Sequence, residues 1–295
     1  MISEWPELPF ESWEATCDTV HMWSQIVGKT RMELSPPQNH WWHVTFYVTP
    51  RGITTSAIPF GRRTFDVEFD FLSHHARIRT CEGDGCSIPL YARTVADFYA
   101  EYMACLKSLG IRVKIPLAPD EFDDPTPYDQ DRRHASYDKE AVERFRRALI
   151  SVDRVLKRFR ARFIGKSSPV HFFWGSFDLA VTRFCGRRAP VKPGADRVTA
   201  LAYSHECISC GWWPGDRRYP RAAFYAYAAP MPEGLDKEPH WNSKLGEFVL
   251  DYDEVRSAVS PEDAAIDFCQ KVYEAAARLG KWNREELECP KEYGK

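Results

Sequence analysis

The sequence has little that would direct the protein to a membrane or to nucleic acid. It contains no run of about 18 apolar residues, which excludes a transmembrane helix, and its 295 residues carry a formal net charge of −2. A charge so close to zero gives no chain-wide attraction to phosphate or to anionic lipids. The first residues lack the basic and apolar regions of a secretory signal. We therefore expect a cytoplasmic protein without nucleic-acid or membrane partners.

Cofactor motifs are also missing. The Gly-Lys-Ser triplet at 165–167 lacks the earlier glycine of a phosphate-binding loop, because Arg160 stands in that place. Among the nine cysteines, Cys207 and Cys210 alone have the C-x-x-C spacing of redox and zinc sites. Residues three apart on a strand point to opposite faces, which argues against chelation by this pair. Without an export signal, we expect mostly free thiols in a reducing compartment.

Aromatic residues are abundant, at 14% of the chain, and such residues often line small-molecule pockets. Two segments, at 40–43 and 171–174, each open with a histidine followed by two aromatic residues. Similar segments at a long spacing indicate an internal duplication. We therefore predict an α+β fold of two similar halves, each an antiparallel sheet flanked by helices.

A change in composition marks the boundary between the halves. Residues 115–137 are rich in proline and aspartate and show no apolar period, so we predict a linker there. It separates a first half, residues 1–114, from a second half, residues 138–295, which carries insertions.

Apolar spacing predicts a helix over 11–27, ended by Gly28, and a long helix over 138–163. The basic residues of the long helix alternate with acidic ones beside an intact apolar stripe, so we interpret them as a solvated surface. Residues 65–72 and 76–81 alternate apolar and charged side chains, which predicts a hairpin with acids opposite arginines. Further strands are predicted at 43–49, 53–58, 87–90, 170–174, 177–184, 205–213, 222–228 and 247–250.

Several histidines lie near predicted strand starts. On a strand through 40–49, His43 would share a polar, aromatic face with Trp41 and Tyr47, whereas His40 would lie on the apolar face. Three histidines from separate strands that meet between the halves would suit a divalent metal, iron or zinc, with an open coordination position. General acid–base histidines and histidines held by structural hydrogen bonds are the alternatives.

The candidate site combines side chains from both halves. The metal ligands would be His43, His171 and His205. The carboxylate ligand or general base would be Glu206 or Asp178. The substrate pocket would be lined by Trp41, Tyr47, Trp174 and His40.

Several longer blocks span almost the whole chain: 23–29 (WSQIVGK), 39–44 (NHWWHV), 134–138 (HASYD), 171–184 (HFFWGSFDLAVTRF), 203–206 (YSHE) and 208–211 (ISCG). On these blocks the chain resembles an uncharacterised bacterial family, a domain of unknown function. The resemblance implies one continuous functional unit. It brings no assigned activity, so no catalytic role is carried over from it.

From these features we expect a metal-dependent enzyme that acts on a small organic substrate in an aromatic, histidine-lined cleft between the halves. A first alternative is a non-enzymatic protein that binds a small ligand in the same cleft. A second is a pseudo-symmetric interaction module, which would expose a large apolar patch instead of a pocket.

Overall fold

The computed structural model describes residues 4–122, 124, 126–190 and 194–290. These residues form helices α1 (Phe10–Leu34), α2 (Val95–Ser108), α3 (Lys139–Ala161), α4 (Arg197–Ala202), α5 (Tyr252–Arg256), α6 (Pro261–Leu279) and α7 (Arg284–Leu287). None of the described helices is both long and apolar enough to cross a membrane.

The strands form two antiparallel sheets, as predicted for an α+β protein. The first sheet contains β1 (Tyr47–Thr49), β2 (Gly52–Thr54), β3 (Ile58–Phe60), β4 (Arg63–Asp70), β5 (His75–Thr80) and β6 (Gly85–Pro89). The second contains β7 (His171–Phe173), β8 (Asp178–Arg188), β9 (His205–Trp213), β10 (Ala223–Ala229), β11 (Trp241–Asn242) and β12 (Glu247–Asp251). Their orders are β1-β2-β4-β5-β6, with β3 also on β4, and β11-β12-β10-β9-β8-β7.

The two sheets meet edge to edge. Phe46, directly before β1, forms an antiparallel bridge with Phe172 in β7. Each residue donates its N–H to the carbonyl of the other at 2.9 Å, and the two rings stack at 6.5 Å. This seam brings the start of the first sheet next to the start of the second.

The long helices pack on one side of both sheets. In the first sheet, Phe69 stacks on Phe98 of α2. In the second sheet, Cys210 is bonded to Cys269 of α6, and the Arg183 guanidinium lies 3.6 Å from the centre of the Phe159 ring of α3. The opposite side of the second sheet is therefore free of these helices.

Each half follows the order helix, antiparallel sheet, helix: α1, β1–β6 and α2, then α3, β7–β12 and α6. The described residues of 115–137 contain no helix or strand. The fold class and this order agree with the sequence prediction, whereas an internal duplication stays a prediction. The hairpin of β4 and β5 is confirmed, with Asp66 opposite Arg79 and Glu68 opposite Arg77.

Three element boundaries were wrong. The strand expected over 53–58 is divided between β2 and β3. Helix α1 continues past Gly28 to Leu34, and the Trp174 ring packs so closely on Gly28 that a Cβ there would lie 2.3 Å from it. Glycine there serves close packing and does not end the helix. The strand expected from 43 begins only at Tyr47, because His40 and Trp41 adopt left-handed φ values of 56° and 61°.

The cysteines also differ from expectation. Two disulfides, Cys86–Cys105 and Cys210–Cys269, join β6 to α2 and β9 to α6. Mostly free thiols were expected, and five of the nine cysteines are free. Cys207 and Cys210 do lie on opposite faces of β9, since Cys207 pairs with Phe184 and Cys210 with Val181.

Candidate functional site

Strand register places one set of side chains on the side of the second sheet that faces away from the long helices. His171 pairs with Ala180, Ala180 with Gly211, and Gly211 with Tyr225, so these four residues share a face across four strands. Asp178 lies two residues from Ala180 on the same face. We call this surface the polar face.

His171 is the most unusual residue of the polar face. Its side chain is 1% exposed, and neither ring nitrogen has a hydrogen-bond partner among the described residues. Burial, with smaller contributions from Arg31 and Arg160, lowers the pKa of His171 to about 3. At neutral pH the ring is therefore uncharged and offers one donor and one acceptor. Leaving such buried groups unsatisfied costs about 1–3 kcal/mol each.

Three aromatic rings enclose His171. Trp42, Tyr47 and Phe173 lie with ring centroids 5.6 to 5.7 Å away, all in edge-to-face geometry. Trp42 and Tyr47 come from the first half, whereas His171 and Phe173 come from the second. The cage therefore forms at the seam between the sheets.

Residues 39–43 cross the polar face beside this cage, and we call them the strap. His40 and Trp41 hold consecutive left-handed conformations, which cost about 1–2 kcal/mol each for residues other than glycine. The indole N–H of Trp41 is buried and has no hydrogen-bond partner within the described ranges. Strained backbone of this kind concentrates at ligand clamps and active sites.

His40 fixes the strap to the second half. Its ring stacks on Phe184 at 4.3 Å, and its Nδ1 donates to the Ala202 carbonyl at 2.9 Å. Lys166 donates from Nζ to His40 Nε2 at 2.6 Å. The Lys166 ammonium also lies 4.9 Å from the Phe184 ring centre, and desolvation lowers the pKa of this lysine.

The three predicted metal ligands are not brought together. His171 and His205 pair with positions eight residues apart on β8, a backbone separation on the order of 20 Å. His43 uses its Nδ1 to accept the Gln38 N–H at 3.2 Å. Among the described residues, no group of three or more His, Cys, Asp or Glu side chains could hold a metal ion. The structure therefore does not show the metal site.

The remaining predicted residues divide between the two faces of the sheet. Tyr47 and His40 lie at the polar face. Trp174 lies in the core, where its Nε1 donates to the Val44 carbonyl at 2.7 Å. Trp41 stacks on His43 at 5.1 Å.

Glu206 is separated from the polar face by strand alternation. It adjoins His205 and Cys207, which share the polar face, and its carboxylate is bound by Arg187 at 2.6 Å. Burial tends to raise the pKa of Glu206, but hydrogen bonds from Arg187 and Cys185 lower it overall. Its charge is thus already neutralised away from His171.

Asp178 forms a polar centre next to the aromatic cage. The Tyr225 hydroxyl donates to its Oδ2, and Ser176 Oγ donates to its Oδ1 at 2.5 Å. Burial raises the pKa of Asp178 to about 6. Gly211 makes the Tyr225 bond possible, because a Cβ there would lie 2.4 Å from the phenol ring.

Two further carboxyl groups lie near Asp178. Burial, then repulsion from Asp178, raises the pKa of Glu247 to about 7. The same two effects raise the pKa of Glu121, which comes from the linker. Carboxyl groups with pKa values near neutrality are suited to donate and accept protons.

The aromatic cage and the carboxyl groups belong to one surface. Phe173 pairs with Asp178, and His171 pairs with Ala180, so His171 and Asp178 are diagonal neighbours on the polar face. Such neighbours lie about 7 Å apart. One bound molecule of modest size could contact both.

Sequence reasoning missed Trp42, Lys166, Tyr225 and Glu247. Tyr225 and Glu247 lie in correctly predicted strands, and the alternation of Tyr225 and Tyr227 in β10 was a signal for a shared face. On a strand through 40–49, Trp42 would share the apolar face with His40, but the strap is not a strand. Nothing local in the sequence marks Lys166 as a neighbour of His40.

The comparison with known proteins identifies the family. The sequence profile of a family of unknown function (DUF5996) matches residues 5–289. The chain belongs to this family. Neither a curated protein nor a solved structure matches the chain. The match to DUF5996 covers the strap, both sheets and the linker, so all parts of the candidate site lie within the family's region.

Proposed function

We propose that the chain binds a small organic molecule on the polar face, at the seam between the two sheets. The molecule would have an aromatic or apolar body and at least one hydrogen-bonding group. The observation that carries the proposal is His171, a neutral buried ring whose two nitrogens have no partner in the described part of the chain, enclosed by Trp42, Tyr47 and Phe173.

Ligand pockets typically combine apolar and aromatic walls with a few fixed polar groups. The cage provides such walls, and His171 provides one donor and one acceptor. A ligand that bonds to His171 would remove an energetic penalty that exists in its absence. The strained strap would gain contacts with the same ligand, which would offset part of its strain.

Calorimetric titration with phenol, benzoate and indole tests the binding proposal. We expect binding of at least one probe by the wild type and an affinity loss of at least about tenfold, or 1.4 kcal/mol, in His171→Phe. The control is His75→Phe, a histidine of β5 whose Nδ1 bonds to the Ser73 carbonyl at 2.7 Å. Equal affinities in all three proteins, or no binding of any probe by the wild type, would contradict the proposal.

A second candidate function is acid–base catalysis on the bound molecule. It is favoured by Asp178 and Glu247, whose pKa values of about 6 and about 7 suit proton transfer near neutral pH. Tyr225 would hold Asp178 in place through its hydroxyl. This candidate needs no metal.

The carboxyl groups allow binding and catalysis to be separated. With any ligand found by titration, Asp178→Asn and Glu247→Gln should retain binding within a few fold but lose product formation, followed by NMR. Glu206→Gln is the matched control, because Glu206 lies on the opposite face and is paired with Arg187. Unchanged turnover in both Asp178→Asn and Glu247→Gln would exclude their catalytic role.

A further inference from the structure

A separate cleft of about 970 Å³ lies between the first half of α1 and the end of the linker. It contains none of the polar-face residues discussed above. Its principal side chains are Glu11, Glu14, Asp18, Phe122, His134 and Arg217.

His134 is held in this cleft by Asp131. His134 Nδ1 lies 2.7 Å from Asp131 Oδ2. Asp131 is 2% exposed, and its Oδ1 accepts the backbone N–H groups of Arg133 at 3.0 Å and His134 at 3.1 Å. An ionised carboxylate only accepts hydrogen bonds, so the proton of the neutral imidazole is on Nδ1. Nε2 is thus left as an acceptor.

His134 Nε2 has no hydrogen-bond partner among the described residues, although the side chain is 9% exposed. The ring also contacts Phe122, edge to face at 5.4 Å. A buried imidazole with one nitrogen fixed by a carboxylate and the other open to a cleft is the arrangement of an oriented base.

The backbone around His134 is fixed from two sides. The carbonyls of Asp131 and His134 accept the first N–H groups of α2, from Ala96 and Val95, both at 3.0 Å. Ser136 donates its N–H to Thr19 of α1 at 3.1 Å. The imidazole is therefore positioned by the fold before any ligand arrives.

The charge of the cleft favours a cation. Carboxylates outnumber arginines along its walls, and each arginine is already paired with carboxylates. Arg217 lies 2.6 Å from Asp18 and 2.8 Å from Glu14, and Arg133 contacts Asp124. The Phe122 ring offers an apolar surface that also attracts cations.

We propose that this cleft binds a small organic cation that carries an N–H donor, such as a primary ammonium group. The ammonium donates a hydrogen bond to His134 Nε2, and its charge is balanced by the excess of carboxylates over arginines along the cleft walls. Asp131 is a positioning residue, because it sets the proton on Nδ1 and so keeps Nε2 as the acceptor. The carbon skeleton of the ligand packs on Phe122.

Three probes of similar size separate the contribution of the ligand's positive charge from that of its hydrogen-bond donor. Benzylamine has both, benzyltrimethylammonium has the charge without an N–H, and benzyl alcohol has a donor without the charge. In titration calorimetry at about pH 8, we expect the wild type to bind benzylamine at least about tenfold more tightly than the other two.

Substitution at His134 should remove only the part of the benzylamine affinity that depends on its N–H donor. His134→Phe, which has no acceptor, should lower benzylamine affinity to that of benzyltrimethylammonium and leave the latter unchanged. Asp131→Asn should act in the same direction, because the asparagine amide no longer enforces a proton on Nδ1; should this variant fail to fold, His134→Phe decides alone. His75→Phe is the control and should bind all probes like the wild type.

Either of two results would overturn the proposal. One is equal benzylamine affinity in the wild type and His134→Phe. The other is no preference of the wild type for benzylamine, including no binding at all. Because the His171 variants do not touch this cleft, failure here is distinguishable from failure of the polar-face proposal.

Discussion

Replacing His171 by phenylalanine should make the ligand-free protein more stable. Both His171 nitrogens are buried and have no partner among the residues that the structure describes, and each such group costs about 1–3 kcal/mol. Phenylalanine keeps a ring within the cage of Trp42, Tyr47 and Phe173 but removes the polar atoms. Part of the gain is lost, because the phenyl ring is larger and overpacking opposes it. We expect a net increase in the free energy of unfolding of about 1–3 kcal/mol.

Urea and thermal unfolding measure this difference. For a chain of this length, about 1 kcal/mol corresponds to about 2 °C in Tm, so the expected shift is a few degrees upward. Residues that are selected for binding often reduce the stability of the folded protein. The same substitution should weaken ligand binding, so stability and binding should change in opposite directions.

His21 provides the matched comparison. It is also a buried histidine in a ring-rich environment, stacked on Phe177 at 4.7 Å, but its Nε2 bonds to the Gly175 carbonyl at 2.9 Å. His21→Phe should therefore destabilise by about 1–3 kcal/mol. If His171→Phe lowers stability as His21→Phe does, the His171 nitrogens are satisfied in solution and the argument for a ligand there fails.

Three further predictions concern single side chains. Asp178 has a folded pKa of about 6 against an ordinary value of 3.8, so its folded form holds the proton more tightly. The stability of the wild type relative to Asp178→Asn should therefore fall as pH rises from about 4 to about 6, by up to about 1.4 kcal/mol per pH unit. Gly28→Ala should destabilise by about 1–3 kcal/mol through the Trp174 clash, whereas in a Trp174→Leu background it should stabilise by up to about 1 kcal/mol. Arg183→Met should stabilise by about 1–3 kcal/mol, because the guanidinium is 0% exposed and has no carboxylate partner among the described residues.

Each of these has a clear contrary result. A stability difference between the wild type and Asp178→Asn that is flat across that pH range would show that the carboxyl is not buried in its protonated form. A stabilising Gly28→Ala in the wild-type background would show that Trp174 can move away without cost. A destabilising Arg183→Met would show that the stacking of Arg183 on Phe159 outweighs its desolvation. All three are measured by urea unfolding monitored by circular dichroism.

Local patterns were sufficient for most secondary structure. The long helix was expected over 138–163 and runs Lys139–Ala161, and the β4–β5 hairpin has its acids opposite arginines as expected. Helical periodicity and strand alternation depend on which side chains face the core, and that information is carried within a few neighbouring residues. Local patterns failed at the strap, because nothing in the neighbouring sequence indicates that His40 and Trp41 adopt left-handed conformations.

The candidate site was predicted in part. Of the histidine and aromatic residues expected there, Tyr47 and His171 meet at the seam, whereas His205 does not join them. Strand alternation correctly placed Glu206 and His205 on opposite faces of β9. His171 in β7 and His205 in β9 pair with distant positions of β8. The sequence could not show this distance, because it depends on the register in which the strands pair.

By itself, the sequence determined the fold class, the order of the elements and the presence of histidines among aromatic residues, because each follows from composition and short-range periodicity. Only the tertiary structure decided which histidine is left without partners. Hydrogen bonding of His40, His43 and His134 depends on Ala202, Gln38 and Asp131. The isolation of His171 depends on rings from both halves, and long-range packing of this kind leaves no trace in the spacing of residues along the chain.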